Sequence, residues 1–130
     1  MQKLILIITI LFLNTAVAEI VVKKYKNGKI KSEKNIVNGK KEGLSKVYYK
    51  DGALKSKIEY KNNKRHGEAL VYHKNGNVKS EFWYIDGRLN GQALTFYKDG
   101  DIESHFTFKD DLPIHGIKYL KNGERLIFVE

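Results

Sequence analysis

Four serines recur every 24 residues, at Ser32, Ser56, Ser80 and Ser104. A hydroxyl at a fixed site of a repeat is where a nucleophile would be sought, but nucleophilic catalysis needs a base beside it and a group to orient that base. Neither recurs next to these serines. The histidines, His66, His73, His105 and His115, raise the question of a metal site. Zinc holds nitrogen ligands at about 2.0–2.1 Å, and no H-x-H or H-x-x-x-H spacing brings two of them together. His66 and His115 occupy equivalent turns two repeat units apart, roughly 19 Å at ~4.8 Å per strand. The carboxylate pairs Asp99/Asp101 and Asp110-Asp111 flank turns, where aspartate serves the backbone. A glycosidase would need two such groups facing each other across a cleft. The chain has no cysteine, which excludes thiol nucleophiles, disulfides and zinc–thiolate sites. These residues point to no catalytic centre, no metal and no cofactor.

Binding chemistry is better represented. The chain carries a formal net charge of +9, and it is unevenly spread: residues 19–70 hold 15 Lys/Arg against 6 Asp/Glu, residues 71–130 hold 8 against 9. Lys40, Lys41, Lys64 and Arg65 fall at the same place in consecutive repeats, so stacking should bring them to one edge about 10 Å apart, two strand spacings. Lys26 and Lys50 recur with the same spacing at the other turn edge, and Lys29 adds to them. At ~1 kcal/mol per cation facing an anionic surface, four or five supply ~4–5 kcal/mol, roughly millimolar affinity. That concentrates a protein at a surface without defining a partner. Tyr48, Tyr72 and Phe96 form a second candidate, an aromatic row, whose bland counterpart is a face half-covered by lysine stems. A solvated lysine-rich surface is the corresponding bland account of the charge.

The elements that position these groups are set by a repeat. Asn/Asp-Gly occurs at Asn27-Gly28, Asp51-Gly52, Asn75-Gly76, Asp99-Gly100 and Asn122-Gly123, each preceded by lysine. A second glycine follows fifteen residues after each of the first three, at Gly43, Gly67 and Gly91, and sixteen after the fourth, at Gly116. Asn-Gly or Asp-Gly between alternating apolar residues is a strong hairpin signal, read here as a two-residue type I′ turn with positive φ at both positions. Gly28, Gly52, Gly76, Gly100 and Gly123 are therefore structural. Ten strands are expected, near 20–26, 29–37, 44–50, 53–61, 68–74, 77–85, 92–98, 101–109, 117–121 and 124–129. With two-residue turns, Tyr49 pairs with Leu54, Val47 with Ser56 and Ser45 with Ile58. The next unit pairs His73 with Val78, Val71 with Ser80 and Ala69 with Phe82. The one after pairs Tyr97 with Ile102, Thr95 with Ser104 and Ala93 with Phe106. Small residues oppose large ones each time, which assigns the serines to packing. The opposite face should carry Lys55, Lys57, Glu59, Lys79, Glu81 and Glu103, with Tyr48, Leu70, Tyr72, Leu94 and Phe96.

Lys31-Ser32, Lys55-Ser56, Lys79-Ser80 and Glu103-Ser104, with the Gly43, Gly67, Gly91 and Gly116 series, make a pattern that resembles the MORN-variant repeats grouped with the YwqK-type toxin–antitoxin antitoxin family. The resemblance implies an elongated, twisted single-layer antiparallel sheet of tandem β-hairpins, all-β, acting through binding. The fourth unit departs from the pattern: Asp110 to Gly116 includes Pro113 and one extra residue, read as the start of a C-terminal cap.

Residues 1–18 are expected to be a cleavable signal peptide, with Lys3 as the basic region, Leu4 to Leu13 as the apolar region and Ala16-Val17-Ala18 as the cleavage site. Ten apolar residues are about half of a membrane span, so no transmembrane segment remains in residues 19–130. Export, to periplasm, cell surface or medium, makes anionic lipid, an envelope polymer or an acidic protein surface the expected partner and disfavours nucleic acid. The sequence reads as a non-enzymatic exported scaffold for macromolecular binding, in adhesion or envelope organisation. The alternative is an antitoxin or immunity protein that neutralises a partner toxin.

Overall fold

The computed structural model describes residues 16–129. Most of the expected signal segment, residues 1–15, lies outside the described residues. The rest forms one ten-stranded antiparallel sheet in which every strand pairs with its sequence neighbours: β1 (Ala18–Lys24), β2 (Ile30–Val37), β3 (Lys40–Tyr48), β4 (Leu54–Lys61), β5 (Lys64–Tyr72), β6 (Val78–Ile85), β7 (Arg88–Phe96), β8 (Ile102–Lys109), β9 (Leu112–Tyr119) and β10 (Arg125–Val129). The sheet is elongated and does not close into a barrel, since β1 pairs only with β2 and β10 only with β9.

The two rows of turns are of different kinds, and the assignment made from sequence has to be corrected. At Asp51-Gly52 the Gly52 N–H donates to Tyr49 O at 3.0 Å, and the Tyr49 N–H to Ala53 O at 2.8 Å. This is a three-residue loop, Lys50-Asp51-Gly52, with a left-handed glycine. Positive φ falls on the glycine alone at all five sites: 83°, 99°, 90°, 96° and 88° for Gly28, Gly52, Gly76, Gly100 and Gly123. Asn or Asp stays at ordinary φ because its Oδ1 accepts the N–H two residues on, as from Lys29, Ala53, Asn77, Asp101 and Glu124 at 3.0–3.1 Å. The type I′ pattern, positive φ at both residues, occurs on the other edge: Asn38-Gly39, Asn62-Asn63, Asp86-Gly87 and Asp110-Asp111. There a two-residue link joins directly paired strand ends such as Lys61↔Lys64 and Ile85↔Arg88. β3, β5 and β7 therefore begin four residues earlier than expected, and β9 five.

The inner pairs match expectation: Val47↔Ser56, Ser45↔Ile58, Val71↔Ser80, Ala69↔Phe82, Thr95↔Ser104 and Ala93↔Phe106. The pairs nearest the three-residue loops do not. Tyr48, Tyr72 and Phe96, rather than Tyr49, His73 and Tyr97, oppose Leu54, Val78 and Ile102. The extra loop residue is absorbed by a bulge before each Lys/Glu-Ser pair's serine. In consequence Lys55, expected on the face opposite Tyr49, places its Nζ over the Tyr49 ring at 5.6 Å.

A single layer encloses little. Among the described residues the buried side chains are all small: Ala69 and Ala93, 3% and 4% exposed, with Ser32, Ser45 and Ser80. Rings and branched chains pack half-buried across them. Ala69 lies between Ile58 and Phe82, and Ala93 between Phe82 and Phe106. Gly116 continues this line between Phe106 and Phe128. It was grouped by sequence with Gly43, Gly67 and Gly91, but those have φ of 74°, 99° and 87° and sit at bulges, whereas Gly116 is not among the positive-φ glycines. Its role is steric: a Cβ there would overlap the Phe106 ring. Sequence spacing suggests one extra residue before this glycine, but counted from the type I′ turn the strand is one residue shorter, five from Asp111 to Gly116 against six from Gly87 to Ala93, so Gly116 takes the place of alanine. Pro113 lies inside β9, opposite Phe108 and beyond the end of β10, where its missing N–H leaves no gap in a ladder.

The repeats are stapled to one another by the residue before each of the first four Lys-Asn/Asp-Gly sequences. The hydroxyls of Tyr25, Tyr49 and Tyr97 donate to the carbonyls of Tyr48, Tyr72 and Tyr119 at 2.7, 2.7 and 2.8 Å. His73 substitutes for tyrosine, its Nε2 lying 2.9 Å from Phe96 O.

Candidate binding surface

The four basic residues singled out by spacing open two alternate strands on the type I′ edge. Lys40 and Lys41 start β3; Lys64 and Arg65 start β5, with β4 between. Their spacing is held by bonds between successive turns. The Asn63 N–H donates to Lys41 O at 3.0 Å and Asn63 Oδ1 accepts the Lys41 N–H at 2.7 Å. Gly87 N–H donates to Arg65 O at 2.8 Å, and Asp111 repeats the Asn63 arrangement on Leu89. Each turn thus clamps the strand start of the preceding unit.

The cations are also held by rings that sequence reasoning missed. Lys41 Nζ lies 4.8 Å from the Tyr60 ring centroid, and the Arg65 guanidinium 5.2 Å from that of Tyr84. Arg65 Nη1 donates to the Tyr84 hydroxyl at 3.1 Å. Burial pulls the Arg65 guanidinium down, but hydrogen bonds to the Tyr60 and Tyr84 hydroxyls outweigh it and hold its pKa above the ordinary value. Such contacts contribute about 0.5–1 kcal/mol each at exposed sites, enough to restrict where a long side chain points. Two further cations belong to this edge. Arg88 follows Lys40 and Lys64 at the same interval, and Lys61 faces Lys64 across the turn. The signal was available, since 40, 64 and 88, like 60 and 84, are 24 apart.

Tyr48, Tyr72 and Phe96 end β3, β5 and β7 at the opposite edge. Eight steps along β3 separate Lys40 from Tyr48, ~27 Å, so the fold does not bring the basic cluster and the aromatic row together. The row is half-buried, each ring opposite an aliphatic partner. Tyr48 is engaged further: its hydroxyl donates to Glu33 Oε2 at 2.8 Å, and desolvation, then that carboxylate, raise its pKa. The predicted cations Lys26, Lys29 and Lys50 lie on the three-residue-loop edge, where Lys29 Nζ donates to Asp51 O at 2.6 Å.

Several other polar groups have local partners, whereas Ser45 Oγ and His105 Nε2 are buried without one. Thr95 Oγ1 and Ser104 Oγ are 2.7 Å apart within a packed pair. His66 Nδ1 accepts the Asp86 N–H at 3.3 Å, and His115 Nε2 meets Thr107 Oγ1 at 3.2 Å. Asp99 and Asp101 hold Lys121. Among the described residues no three His, Asp or Glu side chains are grouped to hold a metal ion.

The repeating unit on this frame runs from the start of an odd strand, through a three-residue loop, to the first residue of the next type I′ turn. The model of the MORN repeat variant family matches residues 41–62, 65–86 and 89–110, just over half of the chain. The chain belongs to the MORN repeat variant family. No curated protein matches it. Each match is one hairpin, β3–β4, β5–β6 or β7–β8, and the family's architecture is a non-catalytic scaffold compatible with protein binding. The flanking hairpins depart from the MORN pattern: β1 has Glu19 where the units carry a bulge glycine, and β9–β10 pair without a register shift.

Proposed function

We propose that this MORN-variant chain is an exported, non-enzymatic scaffold that binds a macromolecule at the cell envelope through its type I′ edge, in adhesion or envelope organisation. The observation that carries the reading is the row of cations, Lys40/Lys41, Lys64/Arg65 and Arg88, at repeat spacing on strand starts held by interlocked turns, with Lys41 and Arg65 over tyrosine rings. Export rests on the apolar Leu4 to Leu13 and the Ala16-Val17-Ala18 site. Affinity capture from envelope and culture fractions tests binding. The wild type should retain a partner that is lost when Lys40, Lys41, Lys64 and Arg65 are all changed to glutamine with the β-sheet circular dichroism intact. Equal capture by both would remove this edge from the account. Intact mass of exported material should begin at Glu19; a chain retaining Leu4 to Leu13 would rule out cleavage.

A second reading, an antitoxin or immunity protein, draws on the half-exposed row Tyr48, Tyr72 and Phe96, the kind of aromatic surface that anchors protein interfaces. Suppression of the toxicity of a neighbouring gene's product, lost on alanine substitution of that row, would favour it over the envelope scaffold.

A further inference from the structure

Three properties of the type I′ edge narrow its partner. The first is that its cations are not neutralised. Among the described residues, the lysine–carboxylate pairs within 4.0 Å join Lys57 to Glu68 and Lys121 to Asp99 and Asp101, and His66 Nδ1 lies 3.4 Å from Asp86 Oδ1. None involves Lys40, Lys41, Lys61, Lys64, Arg65 or Arg88. The edge also carries carboxylates: Glu42 Oε2 accepts the Asn62 N–H at 2.8 Å, Asp86 lies beside His66, and Asp110 and Asp111 form its last turn, but none is paired with these cations.

The second property is linear order. Lys40, Lys64 and Arg88 open β3, β5 and β7, so charges recur along a line across the strand ends at about 10 Å. That line is not straight. Neighbouring strands rotate by roughly 20–25°, and bulges add to the twist, so each two-strand unit turns roughly 40–50° from the last. A flat bilayer can meet one such unit squarely and loses the next. A flexible chain can follow all three.

The third property is that the tyrosine rings beside these cations offer no stacking platform. Single-stranded nucleic acid is gripped by bases laid on open aromatic faces, but here Lys41 and Arg65 already lie over Tyr60 and Tyr84. The rings act on Lys41 and Arg65, fixing two neighbouring steps of the row of charge. We infer that this edge binds a linear anionic polysaccharide, whose successive acidic groups meet Lys40/Lys41, Lys64/Arg65 and Arg88. An acidic group once per disaccharide matches an interval of this order, and a planar carboxylate suits the guanidinium fork of Arg65 and Arg88. The inference rests on the scaffold reading and specifies its partner.

Hyaluronan oligosaccharides of graded length, which carry one uronate per disaccharide, test it, measured by fluorescence polarisation against a neutral glucan, a single-stranded oligonucleotide of equal charge and phosphatidylglycerol vesicles. The expected result is affinity that rises at least tenfold, per uronate, between a disaccharide and a decamer, falls with salt, and is absent for the glucan. Lys40→Gln/Lys64→Gln/Arg88→Gln should weaken decamer binding at least tenfold. Tyr60→Leu/Tyr84→Leu, which keeps every charge but frees the cations, should weaken it severalfold. Length dependence is read on the wild type, so it stands if a variant fails to fold. Affinity independent of length, or vesicles or oligonucleotide bound as tightly as the decamer, would overturn the inference. If the decamer does not bind but a protein is captured through Lys40, Lys41, Lys64 and Arg65, the polysaccharide is rejected and the scaffold stands; loss of both rejects both.

Discussion

Gly116→Ala is the sharpest test of the C-terminal register. In an ordinary strand, replacing glycine with alanine stabilises by roughly 0.5–1 kcal/mol, because glycine loses more backbone freedom on folding. Gly116 is not in the left-handed region, so backbone strain does not oppose the change. The Phe106 ring does: three of its atoms lie inside van der Waals distance of the new methyl. That ring is flanked by Phe108 and Phe128, at centroid distances of 6.3 and 5.3 Å, and cannot swing away without disturbing them. Overpacking costs about 1–3 kcal/mol, so a net loss of roughly 0.5–2 kcal/mol is expected once the gain from losing glycine is set against it. Urea denaturation followed by circular dichroism measures it, and a double-mutant cycle with Phe106→Leu isolates the clash. The double variant should be more stable than the sum of the single changes predicts by more than ~0.5 kcal/mol, the margin within which independent sites add. A stabilising Gly116→Ala, or additive effects, would refute the placement of Gly116 in the alanine line.

Tyr49→Phe removes the hydroxyl that donates to Tyr72 O and should cost about 1 kcal/mol in urea denaturation; His73→Tyr should be tolerated where His73→Phe is not, since tyrosine fills this position in neighbouring units. Gly76→Val forces a β-branched residue to φ near 90° with open space around it, a pure backbone cost of ~1–3 kcal/mol. Asn77→Val gives up one exposed bond to Lys98 O and should cost no more than about 1 kcal/mol; equal losses would dismiss the loop geometry. The Lys121 ammonium, then the Asp101 N–H, hold the Asp99 carboxyl below the usual carboxylate range. The pairing therefore favours the folded state above the ordinary aspartate pKa and is lost as pH falls through the lowered folded value. The NMR titration midpoint of Asp99 should move upward in Lys121→Gln, and an unmoved midpoint would discount the pair.

What the sequence determined by itself was the period and the inner pairing that repeat within each hairpin, though not the loop type or the pairs beside the loop. The 24-residue period, the ten strands and the pairing of Val47 with Ser56 or Ala93 with Phe106 follow from alternation and turn residues a few positions apart, and a strand pair obeys them locally. What it left undecided depends on the neighbouring unit. Which edge carries type I′ turns was set by contacts 20–24 residues away: Asn63 and Gly87 close on the strand starts of the preceding unit, while each Asn/Asp-Gly needs only its own Oδ1 to hold an ordinary φ. The bulge that carries Lys55 to the Tyr49 face followed from that choice of loop. The steric role of Gly116 emerged only when β8 and β10 put Phe106 and Phe128 on either side of it. The basic edge was half legible, since spacing found Lys40, Lys41, Lys64 and Arg65, but Tyr60 and Tyr84 meet Lys41 and Arg65 only across paired strands. Side-chain alternation is a property of one strand; the position of a charge over a ring belongs to two, and their register exists only once the sheet has formed.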